Sequence, residues 1–402
     1  MKLPCERDFS LKEARRRILA EYADLRLSFE ESTYGKVLRT CFVSLRDGDG
    51  IPVSRGAGKG DAETAFVGGL HEALEHYITD RFDTFGDLEL VPVRQLLDLP
   101  VNQILNEILL QQPHATMACR RCRTGTGDER YFPLALSVPL YAASPLPGDS
   151  FDYSALRRYS SNSGTAIGSN ASEATLHALN ECIERHDLSR FLATHFLHDR
   201  DERLRQVDRP AVSAANLAAW RSAEEEIGAP VTVLDIATTG ACATYLAFAD
   251  NRSPMPRLFG SGSSGFPAHA IGRALSELVQ LHLVQKVNCE AEEQQRNAVR
   301  HLQRWPKLLR CLMCDLPGLL ERRPIVRQAV PPAPDEHLPS SVQVEKVKAA
   351  LEEQRLLFLT TTLHSSERCC VTQVVVPAFD RFYLVASGNV VLPSFAQDAG
   401  HD

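Results

Sequence analysis

Residues 168–186 read GSNASEATLHALNECIERH, and the reading of this stretch decides the fold. A glycine and small polar residues lead into a helix, and Asn170 with Glu173 fits a capping box. Glu181 and Glu184 then stand three residues apart beside Arg185. One such acid pair on one helix reads as a solvated face. Recurrence changes that reading.

The pattern recurs twice. Ala174, Ala178, Glu181 and Glu184 align without gaps with Ala65, Gly69, Glu72 and Glu75, and again with Ala270, Ala274, Glu277 and Gln280. At about 100° per residue, the first three positions of each set form one stripe and the fourth lies beside it. The small residues let that stripe pack closely, so it faces inward, and the acids emerge together at its C-terminal end. Glycines precede each helix: Gly56, Gly58 and Gly60, then Gly164 and Gly168, then Gly260, Gly262 and Gly265. Asp61, Ser169 and Asn170 are suited to capping helix starts.

Glu72, Glu75, Glu181, Glu184 and Glu277 would bring five formal negative charges to one place. Metal ions or shifted protonation must relieve that repulsion. Carboxylate oxygens suit Mg²⁺, which commonly bridges a few acids to substrate phosphates. Glycine-rich entries can bring backbone N–H groups close to phosphate. Arg185 and Arg273 supply positive partners, and Lys59 in GKG is placed like a phosphate-reaching lysine. GAGKGD is not a P-loop, because its spacing differs and no Ser or Thr follows the lysine. These residues point to a nucleotide–Mg²⁺ site.

The whole chain agrees with an enzyme of ordinary globular type. It has 402 residues, 44% hydrophobic and 24% charged, enough for a large core. A net charge of -7 gives no support to nucleic-acid or polybasic membrane binding. No run is apolar enough to span a bilayer and the start has no signal-peptide core, so a cytoplasmic location is expected. The cysteines number eleven and show no small-scaffold spacing; they read as reduced, buried thiols. Cys119/Cys122 and Cys311/Cys314 form two CxxC pairs, with the first expected in a loop and the second in an apolar helix. Four thiolates could hold zinc, but the pairs are far apart in sequence and read as thiols. His195, His198 and Asp199 are expected at a solvated helix end.

Spacing of apolar residues predicts helices over 11–30, after GAGKG, over 95–112, 172–196 and 268–298, and in VEKVKAALEEQ. Strands are expected in TCFVSL, GIPVS, LALSVPLYAA, VTVLDIA, ATYLAFAD, CCVTQVVVPAF and DRFYLVASG. TTTLHSSER reads as a polar turn and PIVRQAVPPAPDEHLPSS as a surface loop. This mixture predicts an α/β (α+β) fold.

At this point the chain resembles the YcaO domain family. GAGKGDAETAFVGGLHEALEHY, SSNSGTAIGSNASEATLHALNECIERHD and RLFGSGSSGFPAHAIGRALSELVQLHL resemble its three motifs in order and spacing, and VTQVVVPAF resembles its C-terminal strand. The resemblance spans about residues 50–385. It implies a single large domain with repeated helix-and-strand units around a central ATP site. Within it, 1–50 is an N-terminal helix and strand region, 51–330 the catalytic core, and 331–402 a helix-strand segment completing the domain.

The resemblance further implies ATP- and Mg²⁺-dependent activation of peptide backbone amides. A substrate Cys, Ser or Thr as nucleophile then gives azolines, sulfide gives a thioamide, and an amine gives an amidine. Carried over by position, Glu72, Glu75, Glu181, Glu184 and Glu277 are the metal-side acids. Lys59, Arg185 and Arg273 face the phosphates, and Ser161, Ser169, Asn170 and Gln280 are further nucleotide contacts. No catalytic side chain is assigned. Three positions depart from the family: Gly168-Ser169-Asn170 in place of Gly-Asn-Thr, His76 in place of Arg, and a tail without Pro-x-Pro-x-Pro. The implied partners are a precursor peptide, a separate leader-binding protein of the ocin-ThiF type or a sulfur-delivery protein, and a second copy of the chain as a homodimer.

Overall fold

Alternating glycines let strands lie directly on helix backbones, and this contact sets the layer spacing. The computed structural model describes residues 3–85, 87–251, 255–331 and 337–394. Helix α1 (Leu11–Asp24) starts at Ser10, whose hydroxyl accepts from the Glu13 amide. Strands β1 (Ser28–Tyr34), β2 (Arg39–Arg46) and β3 (Pro52–Gly60) then form an antiparallel sheet. Helix α2 (Ala62–Asp80) follows, with Asp61 accepting from the Thr64 amide. In β3, a Cβ on Gly56 would lie 2.7 Å from the carbonyl oxygen of Gly69, and one on Gly58 would lie 2.8 Å from the carbonyl carbon of Gly68. Only glycine permits that approach.

The second sheet has the order β4-β5-β13-β14-β7, with β6 paired to β5. Its strands are β4 (Leu88–Pro92), β5 (Thr116–Thr124), β6 (Glu129–Pro133), β7 (Thr165–Gly168), β13 (Leu359–Ser365) and β14 (Cys370–Val375). Helix α3 (Gln103–Leu110) lies between β4 and β5 in the chain, and α4 (Ala171–Leu192) follows β7. The third sheet is β11-β10-β9-β8-β12, made of β8 (Leu204–Val207), β9 (Val231–Asp235), β10 (Ala243–Ala249), β11 (Phe259–Ser264) and β12 (Ile325–Gln328). It is antiparallel except for the β12–β8 pair. Helix α5 (Ala214–Ile227) precedes β9, and α6 (Pro267–Val287) follows β11. Helices α7 (Cys289–Leu302), α8 (Pro306–Met313), α9 (Leu316–Arg322) and α10 (Ser340–Glu353) complete the chain.

The strand-then-helix unit therefore occurs three times: β3–α2, β7–α4 and β11–α6. In β11 a Cβ on Gly260 or Gly262 would fall within 2.9 Å of the α6 backbone at Glu277 or Ala274. The glycines expected to approach phosphate thus serve strand–helix packing at Gly56, Gly58, Gly260 and Gly262. Strand β2, within residues 1–50, pairs with β3 across the turn near residue 50. The last 72 residues include β13 and β14, which sit inside the second sheet between β5 and β7.

Several elements differ from the sequence reading. The helix expected over 11–30 ends at Asp24, and Ser28–Tyr34 is strand. The helix expected over 95–112 narrows to Gln103–Leu110, capped by Asn102. Asn288 breaks the long helix expected over 268–298, and its side chain caps α7. LALSVPLYAA and DRFYLVASG form short 3₁₀ turns rather than strands; both are apolar because they are buried, not because they alternate. TTTLHSSER is mostly β13, and Ile325–Gln328 in the expected loop is the edge strand β12. Residues 332–336, the proline-rich part of that loop, lie outside the described residues, as does the tail from 395. Cys119 and Cys122 lie in β5, not in a loop, and burial pushes their thiols up, that of Cys122 to about 12. His195 is not solvated: it is buried at the π-helical end of α4, where burial holds its imidazole down to about 4.

Candidate magnesium–nucleotide site

The three repeated helices bring the acids to one place. Glu75 Oε2 accepts the Ile167 amide of β7 at 3.0 Å, and Glu181 Oε2 accepts the Gly164 amide at 3.3 Å. Glu184 is buried; its Oε1 accepts the Ser261 hydroxyl at 2.7 Å and its Oε2 the Ser263 amide at 3.1 Å. From α6, Glu277 Oε2 receives Lys59 Nζ at 2.6 Å. Arg185 reaches Glu184 at 3.4 Å and Glu181 at 3.7 Å.

Burial and crowding set the protonation of these groups. Burial holds the Glu75 carboxyl well above its ordinary value, and the charges of Glu181 and Glu72 add to this. Glu72 is raised by burial against the pull of His76 and Lys59, with Glu181 adding. Glu181 is raised by burial, opposed by Arg185 and reinforced by Glu184. Glu277 goes the other way. Burial would raise it, but Lys59, then Arg185 and Arg273, outweigh burial and lower it. Burial opposes the charge of Arg185, yet Glu184, Glu181 and Glu277 hold it far above its ordinary value.

A divalent cation fits this set. Three carboxyls are raised by their own burial and crowding, and among the described residues neither Glu72 nor Glu75 has an ion-pair partner within 4.0 Å. The donors are all oxygens, as Mg²⁺ requires. The only trio of ligand-type atoms within 4.8 Å of one another among the described residues lies elsewhere. The acids therefore line a space instead of meeting at a point, which suits an ion sharing its coordination with phosphate and water.

One helical turn before Glu181 and Glu277, the lining becomes basic. Arg273 Nη1 lies 3.1 Å from His177 Nδ1. Burial, then Arg273, Arg7 and Lys59, hold His177 well below its ordinary value, so the neutral ring accepts a hydrogen bond from Arg273. Lys59, Arg273 and Arg185 thus border the acids with fixed positive charge, the partner that phosphate requires.

The other predicted contacts divide between two ends. Gln280 donates to the Ala57 carbonyl, and His76 Nδ1 faces the Arg55 carbonyl at 2.7 Å, so both tie their helices to β3. Ser161 lies on the Arg185 side. Its hydroxyl accepts from Tyr383 at 2.6 Å, and the Arg185 guanidinium lies 5.6 Å from the Tyr383 ring. Ser169 and Asn170 lie at the start of α4, about 17 Å along its axis from Glu181. The Ser169 amide donates to Glu173 at 3.0 Å, while Asn170 caps Glu173 and donates to Asp8 at 2.8 Å. Ser169 and Asn170 therefore mark the start of α4, and Glu181 and Glu184 its middle.

Sequence reasoning missed several residues that complete the site. Ser261 and Ser263 hold Glu184, and the signal was present: FGSGSS alternates glycine toward α6 with serine toward α4, the period of a strand. His177 carried no signal beyond its position one turn before Glu181. Arg381 and Tyr383 line a pocket with Ser163, Cys182, Arg185 and Phe379. Arg381 is held by the Leu136 and Tyr159 carbonyls at 2.6 and 2.9 Å, and burial lowers its pKa.

The fold and site define a helix-and-sheet protein in which a set of carboxylates lies beside a lysine–arginine border. Residues 57–380 match the YcaO cyclodehydratase family, which binds ATP and Mg²⁺, and the chain belongs to that family. ATP and Mg²⁺ are accordingly its cofactors. No curated protein matches the chain. Among solved structures it is similar to YcaO from Methanopyrus kandleri bound with AMPPCP and Mg²⁺, with 17% identity, TM-score 0.68, and 96% of each chain covered. It is also similar to a heterocyclase in complex with substrate and cofactor, with 17% identity, TM-score 0.64, and 94% of this chain and 54% of that one covered. A third match is the E. coli microcin synthetase McbBCD complex with pro-MccB17 bound, with 13% identity, TM-score 0.56 and 88% of each chain covered. At these identities the likeness is one of fold. No helix among the described residues is long and apolar enough to cross a membrane.

Proposed function

We propose that this chain uses ATP and Mg²⁺ to activate backbone amides of a ribosomally made precursor peptide, and that it closes Cys, Ser or Thr residues into azolines. The observation that carries this reading is the position of Arg185. It contacts Glu181 and Glu184 of the acid array and also lines the neighbouring pocket with Ser163, Cys182 and Tyr383. A group in that pocket and a phosphate at the acids would share one guanidinium.

ATP supplies the phosphoryl group that makes an amide oxygen a leaving group. Glu72, Glu75, Glu181 and Glu277 would hold Mg²⁺, with Glu184 anchoring Arg185 and Arg273 beside them. Lys59 and Arg273 would neutralise phosphate charge, and Arg185 would offset charge on the amide side as well. Ser169, Asn170 and Gln280 are proposed nucleotide contacts. Ser161 is proposed to act through Tyr383, whose ring steadies Arg185. The protein does little covalent work in this scheme; it positions groups and screens charge.

The heterocyclase in complex with substrate and the microcin synthetase complex with pro-MccB17 bound support a peptide substrate and partner proteins; a separate leader-binding protein of the ocin-ThiF type, or a sulfur-delivery protein, is part of the proposal. A cytoplasmic location and a homodimer belong to the same proposal. The test mixes the chain with MgATP and with the candidate precursor peptides and partner proteins that inspection of its neighbouring genes supplies. Loss of one water per modified residue, with phosphate release, is the expected result. Exchange of oxygen for sulfur would replace azoline formation by thioamide formation. Retained ATP binding with no peptide change in any partner combination would make the chain an accessory nucleotide-binding protein.

A further inference from the structure

We propose that Glu21, His364 and Cys369 form a binding site for one Zn²⁺ ion, between α1 and the β13–β14 hairpin and separate from the nucleotide site. One ligand-type atom from each residue lies within 4.8 Å of the others. His364 Nε2 is already 2.7 Å from Glu21 Oε1. Tetrahedral bonds to oxygen, nitrogen and sulfur place ligand atoms roughly 3.3–3.7 Å apart, so small side-chain rotations reach coordination geometry. A mixed carboxylate, imidazole and thiolate set suits Zn²⁺, and not the Mg²⁺ of the acid array.

The local backbone aims all three groups inward. A bulge between Thr362 and His364 shifts the β13 register and turns His364 toward α1. Ser366 accepts the Arg368 and Cys369 amides at 3.1 and 3.2 Å, folding the hairpin turn so that Cys369 returns beneath it. The same hydroxyl donates to Glu21 Oε2 at 2.8 Å and orients that carboxylate, as outer-shell groups do at metal sites. Phe85 packs edge-on against the His364 ring at 5.8 Å. Glu21 and Cys369 are buried, and His364 is partly exposed, which leaves an entry and a fourth position for water.

The charge and proton balance closes. On binding, the Cys369 thiol gives its proton to solvent and a sulfur–zinc bond forms. His364 Nε2 gives to solvent the proton it shares with Glu21 while Nδ1 takes one up, so the ring changes tautomer and binds zinc through the freed Nε2 lone pair. One thiolate and one carboxylate then neutralise the ion, while Arg368, 3.6 Å from Glu21, keeps Asp24 as its partner. The ion would fasten α1 to the hairpin. Arg17 of α1 also holds the Arg368 carbonyl at 3.1 Å and the Ser169 carbonyl at 3.0 Å, so the fastening reaches the start of α4.

The test titrates Co²⁺ into the full chain after chelator treatment, with excess Mg²⁺ present to fill oxygen-only sites. One equivalent should bind with a sulfur-to-cobalt charge-transfer band, and Zn²⁺ should displace it. Cys369→Ser should remove that band, and Cys370→Ser, next to it, should keep it. Glu21→Gln, which retains the thiol, should weaken Co²⁺ binding at least about tenfold. Melting of each metal-free variant, followed by circular dichroism, shows that it is folded. No charge-transfer band in the wild-type chain, a band that survives Cys369→Ser, or unchanged affinity in folded Glu21→Gln would overturn the proposal.

Discussion

Replacing Gly58 by alanine tests the claim that strand–helix contact builds the site. The added Cβ would lie 2.8 Å from the carbonyl carbon of Gly68 and closer still to the Ala65 carbonyl oxygen and the Gly69 nitrogen. All of these are backbone atoms of α2, so no side chain can swing away. Relief requires α2 to move from β3 by about 1 Å or more, against a close-packed core. Overpacking of this kind costs about 1–3 kcal/mol, and a rigid backbone neighbour puts Gly58→Ala near the upper end, about 3 kcal/mol. Gly68→Ala is the control. Its Cβ would meet the Gly58 Cα at 3.4 Å, an ordinary contact, in the interior of the same helix. Alanine there should stabilise by about 0.5–1 kcal/mol, because glycine is a poor helix former.

Urea unfolding followed by circular dichroism measures both changes. Thermal shift with Mg²⁺ and AMPPCP reports on the site, because α2 carries Glu72 and Glu75 while β3 carries Lys59. Gly58→Ala should lose most of the ligand-induced shift, and Gly68→Ala should keep it. Equal destabilisation by both, or a loss below about 1 kcal/mol for Gly58→Ala, would refute the packing argument.

Three further outcomes are expected. Glu181→Gln should abolish ATP-dependent peptide modification while leaving the fold intact; full turnover measured by mass spectrometry would disprove the metal-acid assignment. Glu72, Glu75 and Glu181 have raised pKa values, so their stabilising contribution is full below the ordinary carboxylate value of 4.5 and is lost as pH rises through the raised values. Because protons compete with the cation, the thermal shift given by Mg²⁺ and AMPPCP should be larger near about pH 8 than near about pH 6; the reverse order would contradict it. Ser261→Ala removes a donor to the buried Glu184 carboxylate and should cost about 1.5–3 kcal/mol in urea unfolding, with an unchanged midpoint as the contrary result.

The helices of the site were legible because their signal is local. Asn170 and Asp61 cap the helices the sequence marked, and the Ala/Gly-to-Glu stripe does face inward. The misread segments share one cause: burial makes an apolar stretch whatever its backbone does. LALSVPLYAA and DRFYLVASG are apolar turns, and the helix expected over 11–30 runs into a strand because Ser28–Tyr34 pairs with β2 far along the chain.

The sequence by itself determined the three acid-bearing helices, their order and the oxygen chemistry at their ends, since each follows from residue spacing within one turn or two. Only the tertiary structure decided how those acids are shared. It gave Glu277 to Lys59, left Glu72 and Glu75 without an ion-pair partner within 4.0 Å among the described residues, and fastened Glu184 to Ser261 and Ser263. It also tied Asn170 to Asp8 and brought Arg381 and Tyr383 beside Arg185. These are contacts between residues 77 or more apart in the chain, fixed by sheet pairing and by glycines that let strand and helix backbones touch, and no local pattern encodes them.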